Sequence, residues 1–274
     1  MTPKNRFKTS PVLIFLTFSI VTIFTVSFAN ADDISGQEIM TTVDQREDGD
    51  DQISRAIFVL INKRGQKRIR DTLRLWKDYE GREGFDAKMI NFFESPPDVK
   101  GTGFLSWSYW NEDKDDDQWL YLPALRKVRR ISASNKGDYF MGTDFTYDDM
   151  GERKVEEDQH TLIRSEIYND TDCYVVESVP KKKGYIYSKK MTWVNKKQWI
   201  PIKVDYYDRK NRLLKTLNTD WQLISGIWSW EKAEMKNHRT GHRTIIEIKE
   251  IELNVGLNDS DFTARVLKRG YKGK

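Results

Sequence analysis

Cysteine is almost missing from this chain: Cys173 is the only one in 274 residues. No intrachain disulfide can form, and nothing around CYVV supplies the basic, accessible setting of a reactive thiol, so Cys173 belongs on a buried strand face. Histidine is scarce too, with His160, His238 and His242 the full set. His238 and His242 have the i, i+4 spacing that holds zinc on a helix. Thr240-Gly241 between them reads as a hairpin turn, however, and the glutamate of the zinc-protease motif is absent. No G-x-S-x-G motif offers His160 a nucleophile. Gly101-Thr102-Gly103 starts like a phosphate loop but lacks the third glycine and the lysine-serine ending. A charge excess is lacking as well. Lys4, Arg6 and Lys8 precede an apolar leader, and without these three the chain has 43 basic residues against 42 acidic ones. That balance argues against a nucleic-acid surface.

What is present begins with the leader. An uncharged run over residues 11–28 is followed by Ala29-Asn30-Ala31, with small residues where a signal peptidase reads, so cleavage is expected after Ala31. Residues 1–31 are then a signal peptide and 32–274 a single domain in the periplasm. The run exceeds a usual signal core of about 7–15 residues, which makes an uncleaved inner-membrane anchor the alternative. With 38% hydrophobic and 32% charged residues the chain is too apolar for disorder, and a packed domain is expected.

Residues 36–47 (GQEIMTTVDQRE) carry Ile39, Met40 and Val43 at helical spacing. Beyond them the period falls to two: Ile53, Ile57, Val59 and Ile61 alternate, and KRIRDTLRLW repeats the pattern. Later, Ile200, Ile202, Val204 and Tyr206 fall on one face of a strand. Runs over 213–221, 227–235 and 244–253 follow, separated by DRKN, Ser225-Gly226 and Thr240-Gly241. About ten or eleven such segments make an antiparallel meander with the rhythm of a sandwich or barrel. The strands carry charges throughout, which argues against a transmembrane barrel.

The acidic knot NEDKDDDQ fails as a calcium loop: with Asp113, Asp115 and Asp117 at positions 1, 3 and 5, Gln118 and Ala124 stand where glycine and glutamate are required. No metal or other cofactor is called for. Carboxylate neighbours such as Asp148-Asp149 are too common among 42 acids to single out a catalytic pair, although an exported hydrolase built on such a pair is the enzyme alternative. Residues 138–152 (DYFMGTDFTYDDMGE) have neither period, and their apolar side chains, Phe140, Met141 and Phe145 among them, read as a lid over one sheet face. Aromatic residues make up 12% of the chain, and many sit at alternate strand positions: Leu105, Trp107 and Tyr109; Trp119 and Tyr121; Met191 and Trp193. A barrel of more than about eight strands leaves room inside, so these residues, with Ile202, Val204 and the lid, are the expected lining of a cavity for an apolar guest.

The block PPDVKGTGFLSWSYW followed by DDDQWLYLPALRKVRRISASNKGDYFMGTDFTYDDM, with WIPI and YYD further on, resembles the outer-membrane lipoprotein-sorting protein family, related to the periplasmic carrier LolA. The resemblance implies a mainly β fold with a few helices, an unclosed antiparallel β-barrel covered by helices. It also implies a non-catalytic role carrying acyl chains in a hydrophobic cavity, for outer-membrane sorting or with an envelope transporter. The implied partners are a lipid or lipoprotein acyl chain and an inner-membrane transporter of the resistance-nodulation-division type. A non-catalytic structural subunit of such a transporter is the alternative. By strand position Arg55 and Arg70 are the candidates for that carrier's lid-locking arginine.

Overall fold

The computed structural model describes residues 34–111 and 113–273. The chain divides into residues 1–33 and 34–274, and the expected signal peptide lies outside the described residues. Among the described residues no helix is long and apolar enough to cross a membrane.

Helix α1 (Gly36–Asp44) begins with a capping box, in which Ser35 Oγ accepts from Glu38 N at 3.1 Å and Glu38 Oε2 accepts from Ser35 N at 2.8 Å. Six strands follow: β1 (Asp51–Ile61), β2 (Lys67–Asp78), β3 (Phe85–Ser95), β4 (Gly103–Tyr109), β5 (Asp117–Leu122) and β6 (Lys127–Ile131). Seven more come after residue 157: β7 (Asp158–Tyr168), β8 (Thr171–Pro180), β9 (Lys189–Asn195), β10 (Pro201–Tyr207), β11 (Leu213–Ile224), β12 (Ile227–Asn237) and β13 (Arg243–Leu253). A short helix, α2 (Ala264–Arg269), follows the last strand. Among the described residues the strands number thirteen, more than the ten or eleven expected.

All thirteen form one antiparallel sheet in the order β6-β5-β4-β3-β2-β1-β13-β12-β11-β10-β9-β8-β7. Polar turns set the hairpins. Asn62 Oδ1 accepts from the amides of Arg64 and Gln66, and Asp208 Oδ1 from those of Lys210 and Arg212. At Ser225-Gly226 both residues have positive φ, as a two-residue hairpin turn requires.

This order fixes the function-bearing geometry. The first meander runs outward from β1 to the edge β6, and the second starts at the opposite edge β7 and returns to pair β13 with β1. Residues 132–157 must therefore cross from one edge to the other. The two edges do not pair, so the sheet is unclosed, and the crossing segment passes over its inner face. Helix α1 packs on the same side at the β7–β8 end, where Ile39 is buried among Tyr174, Val176 and Val194. Gly36 is required there, since a Cβ on it would lie 2.5 Å from the backbone nitrogen of Leu162. The outer face is covered over β2–β5 by the C-terminal segment, with Leu257, Phe262 and Leu267 packed on Leu75, Ile90 and Leu105. The covering is thus less helical than expected: two short helices and a crossing segment of single 3-10 turns at Phe140–Gly142 and Asp148–Met150.

Candidate functional site

The crossing segment fills the inner face. Phe140 is wholly buried, with ring centroids 5.9 Å from Phe93, 5.0 Å from Phe104 and 5.6 Å from Tyr147. Phe145 belongs to a second cluster with Phe58 of β1, Leu217 of β11, Met235 of β12 and Tyr187 of the β8–β9 loop. Apolar burial of this kind stabilises by about 1.5–3 kcal/mol per side chain.

Polar side chains from the strands below hold the segment down. Arg70 Nη1 donates to the Met141 carbonyl at 2.6 Å, and its guanidinium stands over the Phe93 ring. Met141 itself has φ +48°, a left-handed conformation that a long side chain adopts only under constraint. His242 Nδ1 (2.6 Å) and Thr244 Oγ1 (2.8 Å) meet Asp144 Oδ2, and Gln118 Nε2 donates to the Tyr147 carbonyl at 2.8 Å. Asp149 accepts from Lys215, from Tyr187 Oη at 2.9 Å and from Thr146 N at 2.6 Å. Burial opposes the Asp149 charge, but Lys215 and the Thr146 donors outweigh it and hold the carboxyl below the usual range.

Of the two candidate arginines, Arg70 reaches the lid. Arg55 alternates with Ser54 and Ala56 to the opposite face and pairs with Glu94 and Glu250. Replacing Arg70 by leucine should leave the Met141 carbonyl unpartnered and lower stability by about 1–3 kcal/mol. Amide exchange over residues 139–147 should accelerate more than elsewhere. Equal acceleration throughout the sheet would contradict a local role.

The twelve residues expected to line one cavity fall on two faces. Strand alternation with register places Leu105, Trp107, Tyr109, Trp119 and Tyr121 on the outer face, where Trp107 Nε1 donates to the Phe262 carbonyl at 2.9 Å and packs edge-on to Trp119. Met191, Trp193 and Ile202 form a further cluster with Cys173 and Val175. In register, Met191 and Trp193 alternate with the inner-facing Thr192 and Val194 and so face outward as well. Phe140, Met141, Phe145 and Val204 are on the inner side. On the inner face, where a cavity was expected, the lid's own rings Phe140, Phe145 and Tyr147 are packed. A cleft of about 270 Å³ opens where the lid meets the β4–β5 and β8–β9 loops, lined by charged residues such as Asp116, Glu152, Lys154 and Lys182. The acidic knot is its rim, tied across by Lys182 Nζ to Asp115 at 2.8 Å.

Sequence reading missed the pins Gln118, Lys215 and Thr244, and also a group of acidic side chains around the end of α1. There, burial together with Asp78 and Glu152 pushes the Asp48 carboxyl up to about 7, and burial with Asp86 pushes Asp44 up to about 6. A carboxyl whose pKa is higher folded than unfolded binds more protons in the native state between the two values. Stability therefore rises as pH falls from about 7 towards 4. Asp48→Asn should raise the melting temperature at pH 8 by a few degrees and flatten its dependence between pH 8 and 5. An unchanged slope in a pH series of melting curves would contradict this.

The comparisons with known proteins agree with this architecture. A family model described as an uncharacterized protein matches residues 86–269. A solved outer membrane lipoprotein-sorting protein domain from Vibrio parahaemolyticus is 35% identical, with 85% of this chain and 98% of that one covered and a TM-score of 0.80. A DUF1329 family protein from Desulfovibrio piger is 34% identical, with 85% and 97% covered and a TM-score of 0.81. A LolA superfamily protein from Nitrosomonas europaea, at 20% identity, 85% and 99% coverage and TM-score 0.67, shares the fold. No curated protein matches the chain. The chain thus shares the unclosed antiparallel barrel of that LolA superfamily protein. The chain belongs to the family of the first two relatives, the outer membrane lipoprotein-sorting domain and the DUF1329 protein.

Proposed function

We propose that this chain is a periplasmic, non-catalytic carrier or binding module for lipid or lipoprotein acyl chains, which take the place of residues 138–152 on the inner face. The supporting observation is the crossing segment itself. It buries Phe140, Phe145 and Tyr147 on a face whose floor is Phe58, Phe93, Phe104, Leu120, Leu217 and Met235. Lifting it exposes that apolar floor. Three aromatic side chains at about 1.5–3 kcal/mol each are of the same order as a long acyl chain at about 0.8 kcal/mol per methylene, after ordering costs. A near-balanced exchange suits a carrier, which must release as well as bind. The role is in outer-membrane sorting or beside an inner-membrane transporter of the resistance-nodulation-division type.

Native mass spectrometry of chain purified from its own periplasm, with lipid extraction, tests the reading. A copurifying acyl lipid is expected. Its absence, together with a stable complex with a transporter, would overturn the carrier role in favour of a structural subunit.

A further inference from the structure

The β11–β12 hairpin outruns its neighbours. β11 pairs with β10 only as far as Asn218, and β12 pairs with β13 only from Lys232 onward, yet the two strands stay paired with each other to Ile224 and Ile227. Trp221 Nε1 donates to the Pro201 carbonyl at 2.9 Å, which marks the last lateral tie to β10. Three further residues of β11 lead to the Ser225-Gly226 turn, so at about 3.3 Å per residue the arm stands roughly 10 Å beyond that tie.

Register sorts the arm's side chains onto two faces. Trp221 pairs with Trp230 and Leu223 with Trp228, which puts all four on one face, and the Trp221 and Trp230 rings meet edge-on at 6.3 Å. Trp221 is half-buried under Arg46. Farther out, Leu223 is 56% and Trp230 36% exposed, with Trp228 half-buried beside them. The other face carries Gln222, Ile224, Ile227 and Ser229. Of these Ile227 and Ser229 are buried, and a Cβ on Gly49 would lie 3.5 Å from Ile227 Cδ1. The arm is therefore braced from behind and bare in front. Residues 221–230 (WQLISGIWSW) contain no charged side chain, in a chain that is 32% charged. Charge resumes only at Asp220 on one strand and at Glu231 and Lys232 on the other.

An apolar face on a projection suits a different partner from one in a groove. One exposed leucine and two indoles supply far less than the roughly 800 Å² per partner of a standard protein interface. A bilayer needs no matching contour, and indoles settle at the level of its headgroups, with the ring body in the acyl boundary and the N–H towards water. The uncharged tip matches a lipid surface without net charge, and the acids at its base, Asp220 and Glu231, give an anionic surface no added attraction. We infer that the β11–β12 arm seats this chain on a lipid bilayer, with Leu223, Trp228 and Trp230 entering the headgroup region. So few side chains attach weakly and release, as a single lipid anchor does. The docking site is separate from the inner face and stands whatever that face carries.

Cosedimentation of the chain, purified from its own periplasm, with phosphatidylcholine vesicles tests the inference. The unaltered chain should sediment with the vesicles equally at about 0.1 M and about 0.5 M salt, because no ion pair drives the contact. Lipids brominated along the acyl chain should quench part of its tryptophan fluorescence. The double substitution Leu223→Ser, Trp230→Ser changes two exposed positions, so the melting temperature should hold while partitioning weakens about tenfold or more. The matched pair Ile163→Ser, Ile167→Ser, also exposed but on edge strand β7, should leave partitioning unchanged. Failure of the unaltered chain to sediment, loss of binding at the higher salt, or equal binding by the arm variant would each overturn the inference. So would a dimer in sedimentation velocity that the arm variant abolishes while vesicles bind neither, since the arm would then be a contact between copies.

Discussion

Asp149→Ala is expected to lower the unfolding free energy by about 3–5 kcal/mol, read from the midpoint of urea unfolding at constant slope. The substitution leaves Lys215, which has no exposed surface, with an ammonium group whose other hydrogen-bond partner is the Asp144 carbonyl at 3.1 Å. It also strips Tyr187 Oη and the Thr146 amide of their acceptor. The double change Asp149→Ala, Lys215→Met should recover much of the loss, because removing both charges removes the desolvation penalty along with the attraction. A cost below about 1 kcal/mol for the single change would mean that water reaches Lys215. The pH dependence has a definite sign. Because the folded carboxyl is held below its unfolded value of 3.8, its contribution is complete above about pH 4 and disappears as pH falls through the lower folded pKa.

The same pair shows what the sequence could and could not disclose. Strands were legible wherever one face is buried, as in IWSWEKAEMKN, and turns wherever Asn, Asp or Gly supplies the required backbone, as at Asn62 and Asp208. Edge strand β7 was harder. A register shift between Leu162 and Arg164 breaks its alternation, and Ile163 and Ile167 are exposed. β3 is buried on both faces from Ala87 to Phe93 and so reads as a run with no period. Alternation also sorts residues into two faces without saying which one is inner. The face carrying Leu105, Trp107, Trp119 and Tyr121 is outer because residues 257–267 cover it. The sole local signs of that cover are the Thr263 cap and the spacing of Phe262, Val266 and Leu267. Nothing in the local pattern around Lys215 and Arg70 marks either charged residue as buried. Their burial comes from a segment about seventy residues away, and a partner so distant leaves no trace in local periodicity.

Phe140→Ala tests the central physical idea. Removing this ring vacates space bounded by Phe93, Phe104 and Tyr147, and loss of a fully buried phenylalanine lowers stability by about 3–5 kcal/mol. If the lid is the internal competitor of an acyl chain, part of that loss should reappear as affinity, since the free protein no longer has its own plug to displace. A fluorescent fatty-acid probe should then bind Phe140→Ala about tenfold or more tightly than the unaltered chain, each factor of ten corresponding to about 1.4 kcal/mol. Trp107→Ala is the matched control. That side chain packs on the outer face against Phe262 and Trp119, so its removal should destabilise the fold without tightening the probe. Tighter binding in both variants would point to general loosening. Unchanged binding in Phe140→Ala, with the expected loss of stability, would place the acyl chain somewhere other than beneath residues 138–152.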